Sequence, residues 1–492
     1  MVRILTVVIA LGLLLLPVAP ASAQAPPASD FAALDRWVED QMDASRIPGV
    51  SIAIVEGDQI VHSRGFGTAG DGRDVSPQTP FAAGSLIKSF TAVAIMQLVE
   101  AGKIDLDAPV TTYIPWFRVG NGEESGAITV RHLLNQTSGL SRATGIEPLY
   151  EQQATTLEEV VRDLSGESLN RPVGERYEYS NANFATAALV VETVAGVPFG
   201  QYLNEKILAP LGMTGSSALG DATRAGMTSM HQYWFGLTRE IDDPYRPDHF
   251  PGEYLITTAE DMGRYLSMYL AGDTAVLGPA SVAQLLAPAT NTTTRQLLST
   301  EFTFQYGMGW FAGEFGAAQD ARWHLGELPY FNSWAVMLPE RNLGVVVMIN
   351  AGSQMEFFGA NQVFSRIPIG VVNILVGAET PGGISLASFY YGFDLVTGLI
   401  LAVLVWRLVT LLRIRRPVRH GDGGFPTRTA APLVWEIGFG LLILLGLPVL
   451  IGMPLRGAFL AFPDLALVLV AIAAIWLGTA FVRLARLAGG DG

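Results

Sequence analysis

The chain has 492 residues, half of them hydrophobic, with a formal charge of −14, six histidines and no cysteine. This length exceeds one ordinary compact unit and leaves room for a large domain plus a second part. The acidity argues against nucleic acid as a partner, and the lack of cysteine excludes both a disulfide framework and a thiol nucleophile.

Met1-Val2-Arg3 leads into an apolar run from Ile4 to Leu16, then Pro17 and the small residues Ala21-Ser22-Ala23. That layout predicts a secretory signal peptide over residues 1–23, cleaved after Ala23. Pro17, Pro20, Pro26 and Pro27 crowd its end, which disfavours an uncleaved anchor, since a spanning helix needs about 20 apolar residues.

Residues 24–385 have the mixed composition of a soluble domain. Val50 to Val55 and Ile60 to Gly67 are short apolar runs separated by Glu56-Gly57-Asp58-Gln59, the pattern of a tight hairpin. Helical spacing follows over Ser85 to Ala101, Thr129 to Leu134, Thr156 to Leu164, Asn183 to Ala195 and Thr258 to Ala271, and Gly102, Gly139, Gly196 and Gly272 suit left-handed closing positions. Tyr306 to Phe311, Arg322 to Leu325, Ser333 to Leu338 and Gly344 to Ile349 again read as strands. The expected fold is α+β: one antiparallel sheet built from both ends of the domain, flanked by helices, with a helical region inserted between.

Residues 386–492 contain three apolar stretches, at about 395–412, 433–453 and 465–482, each long enough to span hydrocarbon. The first connection carries Arg413, Arg415, Arg416, Arg419 and Arg428, and the chain's end carries Arg483 and Arg486, whereas the second connection has Arg456 beside Asp464. The positive-inside rule then makes the first connection and the C-terminus cytoplasmic. The signal peptide independently requires the same orientation, with residues 24–385 outside the cytoplasm. Nine arginines against five acids beyond Leu386, together with Arg3, leave residues 24–385 with a net charge of −19, which keeps the domain from lying flat on anionic lipid. Arg407 and Glu436 fall within or close to the apolar stretches, and Arg407 is near enough to the cytoplasmic end to snorkel.

Ser85-Leu86-Ile87-Lys88 opens the first predicted helix. Positions i and i+3 share a face, so the hydroxyl and the amine point the same way. A serine needs a base to become a nucleophile, and a lysine serves if burial lowers its pKa. The helix N-terminus adds backbone N–H groups where an oxyanion would form. With only Lys88, Lys103 and Lys206 in the chain, chance would give about 0.2 such pairs. Tyr179-Ser180-Asn181 brings a phenol and an amide together in a loop ahead of a helix, the phenol to relay a proton and the amide to orient Lys88 and the substrate. In Trp323-His324-Leu325-Gly326-Glu327, His324 and Gly326 share a strand face, and glycine lets a substrate backbone approach closely. A donor from this strand would complete an oxyanion hole with the N–H of Ser85. Each element taken singly has an ordinary structural explanation: a serine cap with a solvated lysine, an asparagine cap with a buried tyrosine, a satisfied histidine. The six histidines, His62, His132, His231, His249, His324 and His420, lack HxxxH or HxH spacing, so neither a metal nor a cofactor is expected.

In order and separation the three elements resemble the serine β-lactamase and penicillin-binding-protein superfamily, in particular the branch of class C β-lactamases, D-alanyl-D-alanine carboxypeptidases, D-aminopeptidases and related esterases. The branch pattern S-x-x-K, Y-x-N, then K-T-G or H-x-G is met by Ser85 with Lys88, Tyr179 with Asn181, and His324 with Gly326. Thr129 to Leu140, Pro210-Leu211-Gly212-Met213 and Thr258 to Met262 match as well, and the resemblance covers roughly Phe31 to Asn350. It implies that Ser85 attacks a carbonyl, that Lys88 and Tyr179 share the proton transfer, that Asn181 positions them, and that the N–H groups of Ser85 and Glu327 form the oxyanion hole. Either Lys88 or Tyr179 is the immediate base, the two titrating as a coupled pair.

Two departures bear on substrate. His324 replaces a permanently charged lysine and is mostly neutral near pH 7, which favours an ester or peptide over a penicillin. Gln136 stands where relatives often carry histidine. A general esterase or D-amino-acid peptidase ranks first, a cell-wall D,D-carboxypeptidase second and a true β-lactamase third. The competing reading of another class is a non-catalytic ligand-binding or sensor module. The expected partners are a small-molecule or peptide substrate bearing an ester or amide, and a membrane crossed by the C-terminal spans; the oligomeric state is left open.

Overall fold

The computed structural model describes residues 31–488 apart from 121, 123, 143, 145–155, 220–225, 242–253, 273–275, 292, 298–299, 354–362, 384, 414–426, 447–454 and 462. The expected signal peptide lies outside the described residues.

The described residues begin with α1 (Phe31–Ser45), β1 (Gly49–Glu56), β2 (Gln59–Gly70), β3 (Arg73–Asp74) and β4 (Phe81–Ala82). The helical middle follows: α2 (Ile87–Glu100), α3 (Val130–Leu134), α4 (Leu157–Asp163), α5 (Asn181–Ala195) and α6 (Phe199–Leu203). After it come β5 (Met230–Trp234), β6 (Leu237–Ile241), β7 (Ile256–Thr257), α7 (Ala259–Leu270) and α8 (Pro279–Leu286). The second strand block is β8 (Thr293–Leu297), β9 (Thr300–Gly307), β10 (Trp310–Phe315), β11 (Ala318–Leu328), β12 (Phe331–Leu338), β13 (Leu343–Ile349) and β14 (Ala351–Gly352). Last are α9 (Val363–Val376), α10 (Leu386–Arg413), α11 (Thr427–Leu441), α12 (Leu455–Ala461) and α13 (Pro463–Ala488).

The expected α+β arrangement is present. Nine strands form one antiparallel sheet in the order β3-β2-β1-β13-β12-β11-β10-β9-β8. Its seam is the β1–β13 pair, with Val50 opposite Ile349 and Glu56 opposite Leu343, which joins the start of the domain to its end. Both faces are covered, so the central strands are apolar at nearly every position rather than at alternate ones. Along β1, Ala53 belongs to a front core shared with the helical middle, while Ile52 and Ile54 face a rear core closed by α1 and α9. In β13, Val346 and Met348 face front and Val345, Val347 and Ile349 face rear. The period-2 geometry of a strand makes each of these segments serve two cores at once.

Two local expectations are corrected. Tyr306 to Phe311 is not one strand but the β9–β10 hairpin, turning at Met308 (φ +43°) and Gly309 (φ +88°). A Cβ on Gly309 would lie 2.9 Å from Ser89 Cα, so this turn presses directly on α2. Gly139 does not close α3; Gln136 takes the left-handed position (φ +57°), and Gly139 (φ +89°) instead lets Arg171 O come within 2.3 Å of where a Cβ would stand.

Of the three expected spans, α10 and the Pro463–Arg486 part of α13 are long and apolar enough to cross a membrane. The middle stretch forms α11 with a π-helical continuation over Leu442–Gly446, and 447–454 fall outside the described residues. Arg407, expected to be an unpaired charge near the end of its stretch, has a partner. It pairs with Glu436, which is fully buried and lies 2.9 Å from Arg483 Nε, so one carboxylate ties α10, α11 and α13 together. Pairing is what makes a buried charge tolerable there.

The first turns of α10 also belong to the rear core of the α+β fold. Leu386 and Tyr390 are buried in it, and Tyr390 packs parallel to Tyr233 with ring centroids 6.0 Å apart. The β5–β6 turn sits on this helix: a Cβ on Gly236 would be 2.7 Å from Tyr390 Cβ, Phe235 N donates to Asp464 Oδ2 (3.3 Å), and Arg46 donates to Gly236 O (2.8 Å).

Candidate active site

Ser85 is set not in the first turn of α2 proper but in a 3-10 turn, Gly84–Leu86, that leads into it. The turn is clamped from both sides. Upstream, β4 pairs with β7, and Ala83 N donates to Leu255 O (2.8 Å). Across the sheet, the buried Ser333 of β12 donates its Oγ proton to Ala83 O (2.6 Å). Gly84 (φ +54°) and Gly326 of β11 lie face to face: a Cβ on Gly84 would meet Gly326 Cα at 3.1 Å and Glu327 N at 3.3 Å. A Cβ on Gly326 would come within 1.8 Å of Ala83 O. The space beside Gly326, expected to admit a substrate backbone, is therefore taken by the protein's own carbonyl. What Gly326 admits is the nucleophile turn, and that close approach is what brings Glu327 N beside it.

At the turn, two side chains converge on one oxygen. Lys88 Nζ is 2.9 Å and the Tyr179 hydroxyl 2.8 Å from Ser85 Oγ. Lys88 is fully buried, its Nζ 5.3 Å from the centre of the Tyr179 ring and 5.9 Å from that of Phe184. A proton leaving Ser85 thus has two heteroatoms in direct reach, and the geometry does not rank them.

Tyr179 and Asn181 are held from behind by Gln136. This residue is completely buried, and its Oε1 accepts from Ser180 N (2.9 Å) and Asn183 Nδ2 (2.6 Å), while its own carbonyl accepts from Glu178 N (2.8 Å). In the sequence Gln136 shows only as a residue standing where relatives often carry histidine; its left-handed backbone (φ +57°) and its buried contacts emerge from the fold. Asn181 opens α5, and its Oδ1 is buried with no hydrogen-bond partner among the described residues. That acceptor does not hold Lys88 and remains available to an incoming donor. Ser333 was missed altogether, because nothing in a strand sequence marks one inward serine as the clamp on a turn 250 residues away.

His324 is buried, with Nδ1 2.7 Å from Leu325 O, so Nδ1–H donates to that carbonyl and Nε2 faces the Tyr306 hydroxyl at 3.4 Å. Burial, aided by the charge of nearby Lys88, pushes its pKa down to about 3 from an ordinary 6.5. His324 is therefore neutral and supplies no positive charge to the site. Its folded pKa lies below its unfolded one, so the stability it contributes is complete above about pH 6.5 and is lost as pH falls toward 3. Burial lowers His132 and His231 in the same sense. Going from pH 7.5 to 5 should cost about 2 kcal/mol through His324 alone. Denaturant unfolding at the two pH values should show this drop in wild type and a smaller one in His324→Gln; equal drops would contradict the assignment.

Comparison with known proteins bears on the same region. The Beta-lactamase family model matches residues 34–363. Protein flp of Staphylococcus aureus (strain N315) is 26% identical over 324 residues, covering 65% of this chain and 63% of that protein; the chain thus spans a little under two thirds of that curated relative. Among solved structures, the octameric penicillin-binding protein homologue from Pyrococcus abyssi superposes with a TM-score of 0.62 at 24% identity, covering 71% of this chain and 78% of that one. EstCE1, a hydrolase with promiscuous acyltransferase activity, gives a TM-score of 0.60 at 20% identity, covering 71% and 99%. At these identities the structural likeness is one of fold.

Proposed function

The chain belongs to the Beta-lactamase family, and on that footing we propose that it is a membrane-anchored, extracytoplasmic serine hydrolase acting through an acyl-enzyme on Ser85. The observation that carries this reading is the convergence of Lys88 Nζ and the Tyr179 hydroxyl on Ser85 Oγ at 2.9 and 2.8 Å. Ser85 Oγ attacks the carbonyl carbon of an ester or amide and gives its proton to Lys88 or Tyr179. The developing oxyanion takes hydrogen bonds from the N–H groups of Ser85 and Glu327. Collapse expels the alcohol or amine, which recovers that proton, and water then releases the acyl group by the same path. The unpartnered Asn181 Oδ1 would accept from an amide N–H of the substrate. The neutral His324 favours esters and D-amino-acid peptides over penicillins. The membrane part of the reading rests on α10 and α13 and on the arginines of the first connection and the C-terminus.

The test is covalent labelling of the full-length protein in detergent by a fluorophosphonate and by a labelled penicillin, read by intact mass. Wild type should gain one fluorophosphonate adduct that Ser85→Ala does not, with penicillin labelling slower or absent. A wild type labelled by neither reagent would favour a ligand-binding module instead.

A further inference from the structure

Outside the C-terminal helices, the large apolar side chains exposed among the described residues are Val61, Leu219 and Leu237, and Leu237, at 53% exposure, is the most open. It stands at the tip of the β5–β6 hairpin, next to Gly236. A lone exposed leucine is ordinary, but this one has company. Tyr391, also exposed, follows the Tyr390 on which Gly236 rests. Arg46 joins the two sides: it donates to Gly236 O at 2.8 Å and to the Tyr391 hydroxyl, and its guanidinium carbon lies 5.4 Å from the centre of the Tyr391 ring. The tip therefore presents a leucine, a tyrosine and a guanidinium side by side.

Two independent marks fix the height of this tip. The apolar stretches of α10 and α13 begin at about 395 and 465, so hydrocarbon would start at those residues when the two helices cross a bilayer. Asp464, immediately before the second stretch, accepts from Phe235 N at 3.3 Å. Tyr391 lies one helical turn, about 6 Å, before the first. Leu237 and Tyr391 thus stand level with the headgroup layer, where an aromatic ring with a polar end is favoured and an arginine lays its stem on apolar surface while its charge stays in water. The acidity of residues 24–385, a net −19, keeps the broad faces of the domain off anionic lipid, so the contact is confined to this tip.

We propose that the β5–β6 tip is a lipid-contacting foot: Leu237 and Tyr391 enter the headgroup layer beside α10, and Arg46 meets lipid phosphate there. The inference rests on the membrane-anchored reading and not on the chemistry of Ser85.

Because the chain has no cysteine, single-cysteine variants each report one position. Leu237→Cys, Val61→Cys and Val403→Cys, in the full-length protein, are labelled with bimane and placed in phosphatidylcholine nanodiscs with or without lipid spin-labelled at the headgroup or deep in the acyl chain. Leu237 is exposed, so its replacement leaves the packing intact. Val61 is the solvent control, since it lies beside the Val55 end of β1, roughly 20 Å along the strand from Gly49. Val403, exposed on α10, is the span control. The Leu237 probe should lose about half or more of its emission to the headgroup label, against about a tenth or less for Val61, and the Val403 probe should respond to the deep label. A Leu237 probe as unquenched as Val61 overturns the proposal. Quenching at Val403 in that same experiment would leave the membrane anchor standing, whereas no quenching at Val403 would remove the anchor as well. An unquenched Leu237→Cys that cross-links between two copies would assign the tip to an interface between copies of this chain and likewise overturn the proposal.

Discussion

Replacing Lys88 by methionine should slow acylation of Ser85 by about 10³- to 10⁴-fold, the range lost when a positioned proton acceptor is removed. Methionine is chosen because Lys88 is fully buried between Ser85 and the rings of Tyr179 and Phe184. Alanine would add a cavity and a stability loss to the chemical one. The reading is the rate of fluorophosphonate adduct formation by time-resolved intact mass, with the unfolding midpoint as control. Tyr179→Phe tests the other member of the pair, since its hydroxyl is equally close to Ser85 Oγ. If Lys88→Met labels at the wild-type rate while Tyr179→Phe does not, the tyrosine alone takes the proton.

Gly326→Ala should be the next most damaging change, for a different reason. The added methyl would stand 1.8 Å from Ala83 O and 2.4 Å from Ser333 Oγ, and both are held, the former by the hydrogen bond it accepts from the latter. Neither is the free end of a flexible side chain, so the Gly84–Leu86 turn must lift off β11. Overpacking of this kind costs about 1–3 kcal/mol, and a displacement of roughly 1 Å at a nucleophile costs on the order of 100-fold in rate. The expected outcome is a folded protein, lowered in melting temperature, that labels on the order of 100-fold more slowly. Ser333→Ala, which loosens the same clamp without a clash, should show a milder loss. A Gly326→Ala protein that labels like wild type would mean the turn is not fixed by this contact.

These two positions show how differently sequence speaks about chemistry and about scaffolding. Ser85 and Lys88 sit three residues apart, and Tyr179 and Asn181 two apart, so local spacing exposed them. Their support comes from across the fold: Ser333 is reached over 250 residues and Asn183 meets Gln136 over 47. The front and rear cores were legible as apolar runs, yet which residue of β1 or β13 faces which core was not, since burial on both faces erases the alternation that would reveal it. The β9–β10 hairpin turns at Met308-Gly309, and the two glycines of Gly307-Met308-Gly309 are the turn signal that reading Tyr306 to Phe311 as one strand passes over. In the apolar C-terminal helices, Arg407 and Glu436 looked like isolated charges; their pairing with Arg483 depends on how three helices meet, which no single helix pattern encodes.

The junction between the α+β fold and α10 would set how the proposed membrane-anchored hydrolase searches for substrate. Leu386 and Tyr390 are core residues, Gly236 rests on Tyr390, and Phe235 is tied to Asp464 at the head of α13. With α10 and α13 in a bilayer, this is a welded joint rather than a leash. An enzyme on a flexible stalk sweeps a volume; one standing on a rigid footing works at a single height and finds substrate by sliding in a plane. Its encounter rate would follow lateral diffusion and the areal density of substrate at that height, and lengthening its reach would require moving the footing itself.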